Sequence, residues 1–89
     1  MTTDRPEFVS TVTLFTRPNC HLCDDMKRIL EHVAKDVPFD LEIIDIDAPG
    51  NEDWQDQYDR EIPVLHIDGK QFARHRVDEK TLRHAITTA

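Results

Sequence analysis

Between Thr11 and Ile46 the apolar pattern changes period twice, and that change restricts the fold more than any other feature of the chain. Thr11-Val12-Thr13-Leu14-Phe15-Thr16 is β-branched and aromatic and is stopped by Arg17-Pro18-Asn19, the signature of a strand running into a tight loop. Leu22, Met26, Ile29, Leu30, Val33 and Ala34 then recur at three- and four-residue steps. Asp24, Asp25, Lys27, Arg28, Glu31 and Lys35 fill the other face, which predicts an amphipathic helix ending near Pro38. Phe39, Leu41, Ile43, Ile44 and Ile46, threaded with Asp40, Glu42, Asp45 and Asp47, predict a second strand, broken by Ala48-Pro49-Gly50-Asn51. Strand, helix and strand in this order call for a right-handed parallel crossover.

The second half has different punctuation. Asn51 stands where it could cap a short helix carrying Trp54 and Tyr58 on one side, a pair expected to pack in the core. Ile62-Pro63-Val64-Leu65-His66-Ile67 and Lys70-Gln71-Phe72-Ala73-Arg74 flank Asp68-Gly69, a strong hairpin signal, so these strands should be antiparallel neighbours. Asp78 precedes Leu82, Ala85 and Ile86 as the N-cap of a last amphipathic helix. The expected order is β-α-β-α-β-β-α, an α/β fold with a four-stranded mixed sheet flanked by three helices. At 89 residues, with no repeat or linker, residues 1–89 are expected to form one domain.

Charge narrows the partners. The net charge is −7, and Asp36 to Glu61 holds ten acids against Arg60 alone. Such a surface repels phosphate, so neither nucleic acid nor an anionic membrane is an expected partner, and the acidic third reads as a solvated face. Met1 to Glu7 contains no apolar leader and no stretch of the chain could span a bilayer, which points to the cytoplasm.

In that reducing setting the two cysteines, Cys20 and Cys23 of Arg17-Pro18-Asn19-Cys20-His21-Leu22-Cys23, are not expected to be a permanent staple. Zinc would need two further ligands from His21, His32, His66, His75 and His84, and none of these pairs has the three-to-five-residue spacing of a finger; no metal site is expected. A redox pair fits better. Cys20 lies beyond the first strand at the amino end of the first helix, where unpaired N–H groups and the helix dipole favour a thiolate. Cys23, one turn further in, should stay protonated longer and can attack a mixed disulfide formed on Cys20.

At these residues the sequence resembles the glutaredoxins, a branch of the thioredoxin superfamily, from about Val9 to Ala85. Leu14 to Cys23 is similar to the family's strand, basic residue and Cys-Pro-Tyr-Cys loop. Glu61-Ile62-Pro63-Val64 resembles its Thr-Val-Pro, and Val64 to Lys70 its Val-Phe-Ile-Asn-Gly-Lys hairpin. The resemblance implies a thioredoxin fold and a thiol–disulfide oxidoreductase with Cys20 as nucleophile and Cys23 as resolving thiol, the two forming the redox disulfide. It implies that Arg17 meets a carboxylate of glutathione and assists the Cys20 thiolate, and that Pro63 is cis and leaves the backbone of Ile62 to pair with a thiol peptide. Arg74 would join the substrate site.

Two departures bear on the substrate. Ala73-Arg74 stands where the family has Gly-Gly, so basic side chains either replace the glycine contacts or block glutathione in favour of a protein partner. His21-Leu22 replaces Pro-Tyr; a protonated His21 would favour the thiolate, and the alternative is an exposed histidine of no consequence. His75, near the altered glycines, is the other histidine of interest. The resemblance thus implies a monomer with no tightly bound cofactor, glutathione or a protein as reductant, and protein disulfides as substrates. Two rival functions stay open: a carrier of a [2Fe–2S] cluster held with glutathione, and a thioredoxin-fold adaptor without catalysis.

Overall fold

Val12-Thr13-Leu14-Phe15 supplies apolar side chains to both faces of a strand, a pattern suited to the interior of a sheet covered on both sides. The computed structural model describes residues 9–88; the stretch Met1–Glu7, expected to hold no apolar leader, lies outside the described residues. In it β1 (Thr11–Thr16) is central, in a sheet of order β2-β1-β3-β4. Strand β2 (Asp40–Asp45) pairs parallel to β1, with Thr11 opposite Asp40 and Thr16 opposite Asp45. Strand β3 (Val64–Ile67) runs antiparallel on the other side of β1, and β4 (Lys70–Arg74) closes the sheet antiparallel to β3. The expected element order and thioredoxin architecture are both present.

The intervening helices are α1 (His21–Ala34), α2 (Glu52–Tyr58) and α3 (Glu79–Thr88). Cys23, Met26, Leu30 and Val33 are the buried residues of α1, and the last three form one core under α1 and α3 with Val12, Leu14, Leu65, Ile67, Leu82 and Ile86. Phe15, Ile46, Tyr58 and Val64 form a second core on the α2 side. Because β1 alternates Leu14 toward one core and Phe15 toward the other, it anchors both layers.

Local chemistry fixes the connections. Asp68 and Gly69 have φ of 51° and 85°, the two left-handed residues that a two-residue turn requires. Asp68 also ties the hairpin to β1, its carboxylate accepting from Thr11 N–H at 2.9 Å. Asp78 caps α3, its Oδ2 accepting from the Thr81 N–H and hydroxyl, each at 2.9 Å. Across the α1–α3 seam, Glu79 pairs with His32 Nδ1 at 2.9 Å, and within α3 it accepts from Arg83 Nε at 2.9 Å.

One expectation needs correction. Asn51 precedes α2, but its side chain makes no capping bond; its Nδ2 donates instead to the Asp45 carbonyl at 2.8 Å, closing the loop after β2. Strand β2 is an edge strand, and its Leu41 and Ile43 remain 42% and 48% exposed.

Candidate active site

The sheet brings four chain segments to one edge. The carboxyl ends of β1, β2 and β4 lie there together with the amino end of β3, since Phe15 pairs with Val64 and Val64 with Arg74. The Arg17–Cys20 loop and Ile62-Pro63 therefore flank the sheet at the same edge, with Arg74 ending β4 and His75 following it there. Hydrogen bonds stitch the segments together: His75 N–H donates to the Pro63 carbonyl at 2.7 Å, and Arg74 pairs with Glu61 at 3.4 Å.

Cys20 is the N-cap residue of α1, with extended backbone angles, and is half-buried, whereas Cys23 is 1% exposed on the inner side of the first turn. The two are joined in a disulfide. Cys20 Sγ takes the place of a capping oxygen, accepting from Cys23 N–H at 3.1 Å. A helix amino terminus with an N–H aimed at sulfur stabilises negative charge on that sulfur once the disulfide opens. His21 is exposed between the cysteines.

Arg17 is the most heavily bonded side chain at this edge. Its Nε and Nη2 form a fork onto Asp47 at 3.1 and 2.9 Å, Nη2 also reaches Asp59 Oδ1 at 2.7 Å, and Nη1 reaches the Asp59 carbonyl at 3.1 Å. Gln55 Nε2 donates to the same Asp47 Oδ1 that takes Arg17 Nη2, at 2.8 Å. Hydrogen bonding to Arg17, and then to Gln55, keeps the Asp47 carboxyl below the usual carboxylate range.

Ile62–Pro63 is a cis peptide bond, and Pro63 is buried while Ile62 is half-buried. The backbone of Ile62 is only half free, because its N–H donates to the Tyr58 carbonyl at 3.2 Å. Ala73 and Arg74 are not in a glycine-like turn: they belong to β4, opposite Leu65 and Val64. The left-handed residue is His75, with φ of 67° and its Nε2 3.3 Å from the Arg60 carbonyl. Beyond it, His75, Arg76 and Val77 close a cleft of about 150 Å³ against Leu22, Asp25, Met26 and Ile29 of α1.

Thus Cys20, Cys23, Arg17, Ile62, Pro63 and Arg74 all lie at one edge. The Asp47 and Asp59 partners of Arg17 and the cleft were not foreseen. The acidic run was visible in the sequence, yet nothing there distinguishes these two acids from their solvated neighbours.

Beneath the edge, Phe15, Trp54, Tyr58 and His66 pack together, with the Phe15 ring 4.6 to 5.0 Å from the other three. His66 is a satisfied sheet residue, its Nε2 2.9 Å from Tyr58 Oη. Burial holds the His66 imidazole below its usual value and so favours the neutral ring beside the tyrosine hydroxyl. A depressed histidine contributes stability that is full above the unfolded value of about 6.5 and is lost as pH falls through the folded value. His66→Gln keeps an acceptor for Tyr58 without titrating. The urea midpoint of the natural protein should therefore fall more between pH 7.5 and pH 5 than that of His66→Gln; equal falls would show that His66 carries none of the pH dependence.

Comparison with known proteins agrees with this architecture. Residues 11–87 match the family model of the glutaredoxin-like domain. The chain is 38% identical over 81 residues to a protein of Dictyostelium discoideum described as "Glutaredoxin-like protein YDR286C homolog", covering 86% of this chain and 75% of that relative. It superposes on the solution NMR structure of protein Ne2328 from Nitrosomonas europaea with a TM-score of 0.76 and 28% identity, over 96% of this chain and 99% of that one. A thioredoxin variant from Halobacterium salinarum shares the fold, with a TM-score of 0.65 at 24% identity over 89% of this chain and 73% of that chain. From residue 11 to residue 87, carrying its Cys20–Cys23 pair at the head of α1, this chain belongs to the glutaredoxin-like family of the thioredoxin fold.

Proposed function

We propose that the protein is a thiol–disulfide oxidoreductase in which Cys20 exchanges with substrate and Cys23 resolves. A glutaredoxin-like fold with a Cys-x-x-Cys pair supports thiol redox chemistry in general. The observation that carries the finer reading is the asymmetry of the pair: a half-buried Cys20 sulfur receiving a backbone N–H, bonded to a Cys23 that is 1% exposed.

In the reduced protein the Cys20 thiolate attacks one sulfur of a substrate disulfide. A Cys20–substrate bond forms, the substrate S–S bond breaks, and the far sulfur leaves as a thiolate. Cys23 gives up its proton and attacks Cys20 Sγ, which releases the second substrate thiolate and leaves the internal disulfide. Two electrons have passed to the substrate. Glutathione or a protein dithiol returns them to the Cys20–Cys23 disulfide in two further exchanges, so protein disulfides are the substrate class and thiols the co-substrate. Arg17, Ile62, Pro63 and Arg74 line the substrate side in this reading.

The test is trapping. Reduced Cys23→Ser treated with a small disulfide should accumulate one adduct on Cys20, read by mass spectrometry, while the natural protein passes on to the internal disulfide. An adduct that persists equally in both proteins, or none in either, would remove Cys23 or Cys20 from its role.

A further inference from the structure

Arg17 has five N–H donors, and four of them are already used: Nε and one Nη2 proton by Asp47, the second Nη2 proton by Asp59 Oδ1, and one Nη1 proton by the Asp59 carbonyl. A guanidinium recognises a carboxylate best through two adjacent donors. One free Nη1 proton cannot form that fork, so an incoming carboxylate would have to break an internal bond. The clamp is also positioned to resist, since Gln55 donates to Asp47 Oδ1 at 2.8 Å and Asp47 N–H is tied to Asp45 Oδ1 at 2.8 Å.

Charge points the same way. Two carboxylates against one guanidinium leave the clamp at −1, and the neighbouring Glu61 is matched by Arg74. Asp59 lies in the segment that leads into Ile62-Pro63, and Arg17 in the loop that leads into Cys20. A substrate sulfur approaching Cys20 between these segments therefore brings its substituents toward the clamp.

We propose that Asp47 and Asp59 are specificity-determining residues, which withhold Arg17 from substrate carboxylates and select disulfides whose groups next to sulfur are neutral or cationic. This rests on the exchange reading above. On a protein substrate the preferred cysteine would have lysine or arginine, and not aspartate or glutamate, as its neighbour.

Three disulfides of nearly equal size separate the alternatives: cystamine, 2-hydroxyethyl disulfide and 3,3′-dithiodipropionate, which end in ammonium, hydroxyl and carboxylate. The rate at which each oxidises the reduced full-length chain is divided by its rate with dithiothreitol, removing intrinsic leaving-group differences. For the natural protein at low ionic strength, the normalised cystamine rate should exceed the dithiodipropionate rate about tenfold, and added salt should shrink the ratio. Asp47→Asn with Asp59→Asn should lower the ratio at least about fivefold, mainly by raising the rates of dithiodipropionate and of glutathione disulfide. Arg17→Gln, which leaves both carboxylates uncompensated, should raise it. A ratio near one in the natural protein, or one that neither variant moves, overturns the assignment. If all three disulfides fail to react with the reduced protein, the exchange reading falls and this inference with it.

Discussion

Cys20→Ser should lower the rate of disulfide reduction by at least about 10³-fold, the scale on which loss of a nucleophile is felt. The chain has two cysteines, so Cys23 is the one thiol left to compensate. At 1% exposure and inside the first turn of α1, it cannot present its sulfur in line with a substrate disulfide. A serine at position 20 could still accept the Cys23 N–H, so the helix keeps its cap and far-ultraviolet circular dichroism should be unchanged. Cys23→Ser should behave differently, retaining the first exchange and losing only the resolution step. Equal loss from the two serine substitutions, with no adduct on either, would mean that the burial difference between the sulfurs does not divide their labour.

The order of elements was legible because each strand and helix repeats its apolar residues at its own period, and because Asp68-Gly69 and Asp78 are residues whose local conformations have few alternatives. Cys20 and Cys23 were legible for the same reason: their place in the strand-to-helix loop follows from local sequence. What sequence could not resolve depends on contacts between distant segments. Arg17 meets Asp47 and Asp59 across 30 and 42 residues, and which of ten acids would be chosen depends on how the loops after β2 and α2 converge. Asn51 has the side chain of a cap, but the nearby Asp45 carbonyl competes for its amide. Leu41 and Ile43 alternate as a buried strand would, yet burial depends on what lies beyond the edge of the sheet. The left-handed residue after β4 is His75, and not the Ala73-Arg74 pair aligned with the family's glycines, because β4 keeps its ladder with β3 up to Arg74.

Phe15→Ala should destabilise the fold by about 3–5 kcal/mol, a large part of the roughly 5–15 kcal/mol by which small domains are stable. Phe15 is 1% exposed and its ring is shared by Trp54, Tyr58 and His66, none of which can close the gap without leaving another contact. With a urea dependence of about 1–3 kcal/mol per molar, the unfolding midpoint should fall by about 2 M, followed through Trp54 fluorescence and checked by circular dichroism. Phe15→Leu, which keeps most of the apolar volume, should lose clearly less. The consequence for function separates packing from chemistry. Phe15 ends two residues before Arg17 and lies opposite Val64, next to Pro63, but it does not touch either sulfur through any hydrogen bond or ring contact seen here. Disulfide exchange by Phe15→Ala should therefore follow its folded fraction across the urea range and match the natural protein where both are folded. A midpoint shift below about 0.5 M would mean that the aromatic layer repacks around the cavity. A fully folded variant that has lost exchange would instead show that this layer sets the position of the Arg17–Cys20 loop, and that the site depends on the core beneath it for more than support.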